Sequence, residues 1–388
     1  MVDVPVLRGP GGRPLRVAHL TTVDMSLALL LARELETDVE TGLETFGLSA
    51  HGPFVPEIEK LGVTHVPLLH LTRAWQPRSD VRAAGELVAR LRQLKLDILH
   101  THNPKTGVLG RLAGRATGIP VVVNTCHGLW AGPGDSWRRQ GLVLGMEALA
   151  AQASHAELYQ NAADRERLRR FVRSSRSRVV GNGIDLERFR HDPLARVKVR
   201  KELGMGDEDV VVGVVGRRVK EKGTAEFVAA ARALGDRARF VWVGPGDPDK
   251  SDAVVDEDPA VQWVSARSDM AAVYSSFDVF VLPSYREGFS RSAMEAAACG
   301  LPMVLSDIRG CREVGVHGQQ LLLTPPRDAR ALTSAIAALL DDPALRQRLS
   351  AGAEQRARST FDQREVAAWS LRTYAAVARR RGLGWEVA

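Results

Sequence analysis

The stretch Val210-Val211-Val212-Gly213-Val214-Val215-Gly216 decides the fold, because it opens afresh a pattern that has already run once through the chain. It reads as a glycine-rich buried strand. Behind it, the charged segment 186–204 and the turn cluster Gly181-Asn182-Gly183-Ile184-Asp185 set it apart from an earlier series of strand candidates. Those lie at residues 15–20, 39–44, 64–69, 97–100, 121–125, 156–159 and 178–180. Runs such as Val121-Val122-Val123 suit parallel strands covered on both faces, and amphipathic stretches such as 79–94 supply the covering helices. Ahead of it, strand candidates follow at 239–243, 261–264, 279–282, 303–305 and 320–323, and segments 332–340 and 365–380 close the chain as helices. The alternation predicts an α/β protein with two tandem doubly wound parallel-sheet domains, residues 1–185 and 186–364, and a terminal helix, 365–388, returning to the first. Ligands of open sheets sit beyond the carboxyl ends of the strands, so two facing sheets predict a ligand cleft between the domains.

Composition agrees with that division and narrows the function. At 388 residues the chain exceeds one core at roughly 150 residues per domain. Its 45% apolar and 26% charged residues exclude a disordered or collagenous chain. Fifty-three Lys and Arg against 46 Asp and Glu leave a formal charge of +7, which favours anionic partners. The three cysteines form no CxxC pair, so neither a disulfide framework nor a zinc site is expected, and Cys126 reads as a small buried residue rather than a nucleophile. The opening MVDVPVLRGPGGRPLRVAHL lacks an apolar core before its Gly and Pro residues, and no segment approaches about 18 consecutive apolar residues. A cytoplasmic protein is the expectation.

The chemistry gathers at three places. Pro283-Ser284-Tyr285-Arg286-Glu287-Gly288-Phe289-Ser290-Arg291-Ser292-Ala293-Met294-Glu295-Ala296 follows a buried strand and runs into an Ala-rich helix whose N-terminus offers free N–H groups to an anion. Glu287 lies before that helix and Glu295 within it, eight positions on. Eight helical residues rise about 12 Å, too far for a retaining glycosidase pair at about 5 Å, so the two carboxylates read as grips along an extended molecule. In Gly216-Arg217-Arg218-Val219-Lys220-Glu221-Lys222-Gly223, the cations Arg217 and Lys222 bracket a loop at the same sheet edge and suit a diphosphate; GxxxxGK[ST] is absent. Asn124-Thr125-Cys126-His127-Gly128 ends a first-domain strand with His127 at its mouth, and His100-Thr101-His102 ends the strand before it. No H-E-x-x-H or carboxylate cluster accompanies them, so no metal site is expected.

Taken together, these segments resemble the retaining GT-B glycosyltransferases of family 4 (group 1), above all the bacterial capsule and exopolysaccharide branch. The resemblance rests on the E-x7-E signature from Glu287 to Glu295, the Gly216-Arg217 and Lys222-Gly223 loop, the 181–185 junction and the Thr-x-His-Gly form of Thr125 to Gly128. It implies two Rossmann-like domains, the first for the acceptor and the second for the donor. It also implies transfer of a sugar from a nucleotide-diphosphate sugar, a UDP-sugar above others, to a sugar, glycolipid or small-molecule acceptor, with retention. Glu295 would hold ribose hydroxyls, Glu287 the hydroxyls of the transferred sugar, and Arg217 with Lys222 the diphosphate. The N–H groups of Gly288, Phe289 and Ser290 would meet phosphate or sugar, Ala266 and Arg267 would lie near the base, and His127 would approach the sugar. No divalent metal or other cofactor is required on that scheme, nucleic acid is not a partner, and the surplus positive charge suits peripheral contact with an anionic membrane from the cytoplasmic side. The first-domain loop Thr21-Thr22-Val23-Asp24 departs from the family by lacking glycine; Thr22 and Asp24 are its candidate phosphate or acceptor contacts, Asp24 turning to the acceptor or capping the next helix. The alternatives of another class are a sugar-nucleotide epimerase or hydrolase of the same fold, and a nucleotide-sugar-binding scaffold without turnover.

Overall fold

The computed structural model describes residues 3–102, 104–132, 135–247, 252–254 and 257–388. The chain forms two compact units, one from the residues up to Gly181 together with Gln363–Ala388, the other Asn182–Asp362. The terminal helix Gln363–Arg381 therefore belongs to the first unit.

The first unit holds a seven-stranded sheet: β1 (Arg16–Val23), β2 (Glu44–Ala50), β3 (Thr64–Pro67), β4 (Ile98–His102), β5 (Val121–Cys126), β6 (Ala156–Tyr159) and β7 (Ser177–Val179), in the spatial order β3-β2-β1-β4-β5-β6-β7. The second holds six: β8 (Val211–Val215), β9 (Arg239–Val243), β10 (Gln262–Val264), β11 (Val279–Leu282), β12 (Met303–Ser306) and β13 (Leu322–Thr324), ordered β10-β9-β8-β11-β12-β13. Every pairing within these two sheets is parallel. Both are wound outward from their first strand and then back, so each has a switch point, β1 against β4 and β8 against β11, where the connections diverge and open a crevice at the carboxyl ends.

Helices cover both faces of each sheet, which is why the strands read as unbroken apolar runs. Val122 packs under the helices on one side with Leu99 and Leu87, while Val121 and Val123 pack on the other with Tyr374 and Leu371 of the terminal helix. In the second unit Trp242 and Phe227 fill one layer, Tyr274 and Phe280 the other, all fully buried. Each such side chain contributes about 1.5–3 kcal/mol by leaving water.

One strand expectation is corrected. The strand expected at 39–44 begins only at Glu44: the helix Ala32–Glu40 runs through Val39, and Thr41 caps it. Gly42, at φ +80°, then turns the chain into β2. The alternating Val39, Thr41 and Leu43 imitate a strand, whereas the real one carries Gly47 in its centre, packed against Leu27.

Candidate active site

At the switch point of the second unit, two loops are locked together by backbone contacts that leave no room for side chains. After β8 the chain makes a turn at Lys220–Lys222 and passes through Gly223, φ +75°, into the helix Thr224–Leu234. A Cβ on Gly223 would lie 2.2 Å from the carbonyl oxygen of Pro283, the residue that follows β11. Tyr285 N–H donates to the Glu221 carbonyl at 2.9 Å, Arg286 bonds the Glu221 carboxylate at 2.8 Å, and the Tyr285 hydroxyl donates to Glu226. From the other side Gly310 admits the Glu287 backbone, since a Cβ there would fall 2.6 Å from the Glu287 carbonyl. Held on both flanks, Glu287 meets the Lys222 ammonium at 2.5 Å, with both side chains about one-fifth exposed or less. Gly244 serves the same lock: its missing side chain lets β9's end approach the Gly216 carbonyl, which also accepts from Trp242 Nε1 at 2.9 Å.

The other residues expected at this site divide. Glu295 sits on the helix Arg291–Ala298 and accepts from the Tyr274 hydroxyl at 2.8 Å; burial raises its carboxyl pKa against the opposing pull of Arg291. Ser290 caps that helix through Ala293 N–H at 3.3 Å, and Phe289 packs edge-on against Phe361. Its carbonyl accepts from Asn182 at 3.4 Å, which ties the 181–185 junction to the Glu287 loop next to Gly288. Arg217 is not the bare cation the spacing implies, for its guanidinium is paired with Asp247. Arg267 follows β10, an edge strand two places from β8, and is committed to Asp269 and Glu202 at 2.6 and 2.9 Å; Ala266 beside it is exposed. The structure thus assembles Lys222, Glu287 and the capped helix start, and leaves Arg267 bound elsewhere.

In the first unit, the carboxyl ends of β1, β4 and β5 bring four separated residues into one line. His127 Nε2 lies 3.0 Å from His102 Nδ1, His102 Nε2 lies 3.0 Å from His19 Nδ1, and His19 Nε2 lies 2.7 Å from the Asp38 carboxylate. Each neutral imidazole has one N–H, so the line has a direction. With Asp38 ionised, every histidine donates inward from Nε2, and His127 Nδ1, buried without a hydrogen-bond partner, carries the lone pair. Burial pushes His127 down to about 4 and His102 well below the ordinary histidine value. Burial also opposes the charged form of His19, but the hydrogen bond and charge of Asp38 carry its pKa upward. His100 stands beside this line, bonded to Tyr374 at 2.6 Å and Thr125 at 2.7 Å. Burial works to raise the Glu34 carboxyl, yet His100 outweighs it and holds Glu34 at about 2.

Ring nitrogens of His19, His100 and His102 come within 4.8 Å of one another, near enough for a metal ion. Both nitrogens of each are already engaged in the bonds just described, so the cluster reads as a hydrogen-bonded relay. Sequence reading saw His100, His102 and His127 as strand ends; His19, Asp38, Glu34 and Asp247 escaped it, and the only signal was a polar residue inside an apolar strand at His19. Cys126, beside His127, has its thiol pKa raised by burial and by nearby carboxylates, which keeps it protonated and unreactive.

The glycine-free loop is occupied by its own structure. Thr21 and Thr22 fall inside β1, and the Asp24 carboxylate, 5% exposed, accepts from Met25 N–H at 2.8 Å and Phe54 N–H at 2.7 Å. Asp24 therefore takes up an N–H in the first turn of the helix it opens, as a capping group does, and also pins the loop after β2, with Gly52 leaving it room. Thr22 stands 3.5 Å from the Thr106 hydroxyl, 7% exposed.

A pair of sheets with this strand order and a cation–carboxylate pair at the second switch point defines the GT-B class of two-domain transferases. Sucrose-phosphate synthase of Thermosynechococcus elongatus shares the fold at TM-score 0.78, 22% identity, covering 94% of this chain and all of that one. Anabaena HepE in complex with UDP does so at 0.79 and 19%, again over 94% of this chain and all of its own. Residues 209–342 match the family described as glycosyl transferases group 1, and residues 28–188 match glycosyltransferase family 4. The N,N'-diacetylbacillosaminyl-diphospho-undecaprenol alpha-1,3-N-acetylgalactosaminyltransferase of Campylobacter jejuni is 31% identical over 85% of this chain and 90% of its own. The UDP-Gal:alpha-D-GlcNAc-diphosphoundecaprenol alpha-1,3-galactosyltransferase of Escherichia coli is 30% identical over 69% and 72%. The chain belongs to the group 1, family 4 glycosyltransferases, and it is a glycosyltransferase.

Proposed function

We propose that the protein moves a sugar from a nucleotide-diphosphate sugar, a UDP-sugar above others, to an acceptor hydroxyl with retention, in polysaccharide or glycoconjugate biosynthesis. The observation that carries this reading is the Lys222–Glu287 pair at 2.5 Å on the second unit's switch point. Breaking a glycosyl–phosphate bond gathers negative charge on the departing diphosphate. An ammonium has three donors, and Glu287 engages one, leaving two for phosphate oxygens as that charge grows. The start of the helix Arg291–Ala298 adds its dipole to the same end. Arg217 joins by sharing its guanidinium between Asp247 and the diphosphate.

Glu287 then has an oxygen for the hydroxyls of the transferred sugar, while an ion-paired carboxylate is a poor nucleophile. A front-face substitution, in which the acceptor enters on the side the diphosphate leaves, follows from that weakness. Tyr274 orients Glu295 through one oxygen for the ribose hydroxyls. The inward-donating line from Asp38 sets the tautomer of His127, to which the reading assigns the transferred sugar. Fixed cations do the work a divalent metal does in other transferases, so none is required. Two relatives named for diphospho-undecaprenol acceptors support a lipid-linked acceptor here. The reading has such an acceptor met by peripheral contact on the cytoplasmic side, the surplus of positive charge favouring an anionic membrane surface; no described helix is long and apolar enough to cross a membrane. Incubation with labelled UDP-sugars and candidate acceptors, with the product's anomeric configuration read by NMR, tests the reading. Retained configuration and loss of transfer in Glu287→Ala are expected; an inverted product or full activity in that variant overturns it.

A further inference from the structure

We propose that the first unit carries a second anion site, built to take a phosphoryl group, at the amino ends of β5 and β6. An open pocket of ≈ 380 Å³ is lined there by Arg115, Arg173, Arg176, Arg380, Arg381 and His155. It lies at the opposite sheet edge from His127: His155 immediately precedes β6, and its Nδ1 accepts from Val122 N–H at 2.9 Å. Arg115 ends the helix leading into β5, Arg173 and Arg176 precede β7, and Arg380 and Arg381 form the last turn of the terminal helix.

The charge of this pocket is one-sided. The fully buried arginines Arg111 and Arg200 meet carboxylates, Glu147 with Glu157 and Asp278. Among the described residues, no carboxylate comes within ion-pair distance of any of these five, and none lines the pocket. Three are held in place by neutral groups instead. Arg176 donates to the carbonyls of Ala151 and Ser154, Arg380 to the Ser175 carbonyl at 2.7 Å, and Arg381 abuts His155. Arg176 Nε is buried with no partner. Burial and then the charges of Arg381, Arg115, Arg176 and Arg380 push His155 down to about 4, so the imidazole stays a neutral part of the wall.

Converging guanidiniums with no internal counter-charge complement a dianion, and planar forks match phosphate oxygens two at a time. The volume equals that of about thirteen waters at ~30 Å³ each, ample for a diphosphate. The phosphoryl group has two possible sources, a free phosphoanion or a lipid headgroup. The second is raised by Phe171, 49% exposed, whose carbonyl accepts from Gln152 at the pocket wall.

The test starts from Lys222→Ala, which weakens the proposed donor site and leaves this pocket intact, and titrates inorganic diphosphate by calorimetry. Adding Arg115→Gln with Arg173→Gln, both exposed side chains, is expected to weaken binding at least tenfold with no change in thermal stability. The same two-charge loss at Arg73 and Arg82, exposed on the same unit, is expected to leave it unchanged. A parallel arm pellets the proteins with vesicles containing phosphatidylglycerol or phosphatidylcholine alone. Diphosphate binding that depends on Arg115 and Arg173 assigns the site to a free phosphoanion; binding only of phosphatidylglycerol vesicles, lost with the same pair, assigns it to a lipid phosphate. If neither probe responds to that pair, or the Arg73 and Arg82 pair weakens binding as much, the site does not exist.

Discussion

The two sheets repeat one strand order, yet their switch points are chemically opposite. At β8 and β11 glycines bring backbone against backbone, and a lysine and a glutamate stand paired at the crevice with part of their surface exposed. At β1 and β4 the close glycines, Gly110 and Gly52, face side chains of Leu20, Thr101 and Asp24 rather than backbone, the carboxylate Asp24 is spent on holding a neighbouring loop, and the polar groups are histidines and threonines drawn into a buried line. Topology supplies the crevice in both cases; what fills it decides whether an anion is welcome. A site for a diphosphate needs cations and open N–H groups, and the second unit's switch point presents Lys222 and the start of the helix Arg291–Ala298.

The comparison can be broken at several strengths. The largest effect is expected at Arg111, fully buried between Glu147 and Glu157 in the first unit. Arg111→Met leaves two carboxylates without their cation and should cost about 3–5 kcal/mol in chemical denaturation. Donor binding by the second unit should survive in whatever fraction remains folded. Next, Gly223→Ala places a Cβ against the Pro283 carbonyl at φ +75°. It should cost about 1–3 kcal/mol and, by spreading the two loops, weaken UDP binding, which isothermal titration reads directly.

Acid should weaken the first unit. His127 and His155 each sit at about 4 in the folded protein against the ordinary 6.5. The unfolded chain therefore takes up their protons first as pH falls. The stability these neutral imidazoles supply is complete above 6.5 and is lost between 6.5 and 4, by at most about 1.4 kcal/mol per pH unit for each. Melting temperatures measured across that range should fall, and His155→Gln should flatten part of the decline. The smallest effect is expected of Asp24→Asn, which retains one acceptor for Phe54 N–H and should cost about 1 kcal/mol, with UDP binding unchanged.

Much of this contrast could be read before any coordinates. Buried valine runs announce strands covered on both faces, and Glu287, Lys222 and the helix after Ser290 are near enough in pattern to be placed at one sheet edge. The histidine line could not be read that way. Asp38, His19, His102 and His127 converge only after the β1–β4 register sets His19 beside His100 and the helix Ala32–Glu40 delivers Asp38 beneath them. The ion pair of Arg217 with Asp247 spans thirty positions and depends on the turn after β9, so a cation that looks bare along the chain proves to be partnered. The Asp24 contact to Phe54 N–H is hidden for the same reason, since that partner lies in a loop two elements away.

The central claim is that the donor's diphosphate is held by the second switch point and not the first. Titration of UDP into the wild type, Lys222→Ala and Asp24→Asn tests it most directly. The account predicts a dissociation constant raised at least tenfold by Lys222→Ala, about 1.4 kcal/mol, and unaltered by Asp24→Asn. Wild-type affinity in Lys222→Ala, or a loss confined to Asp24→Asn, would contradict it.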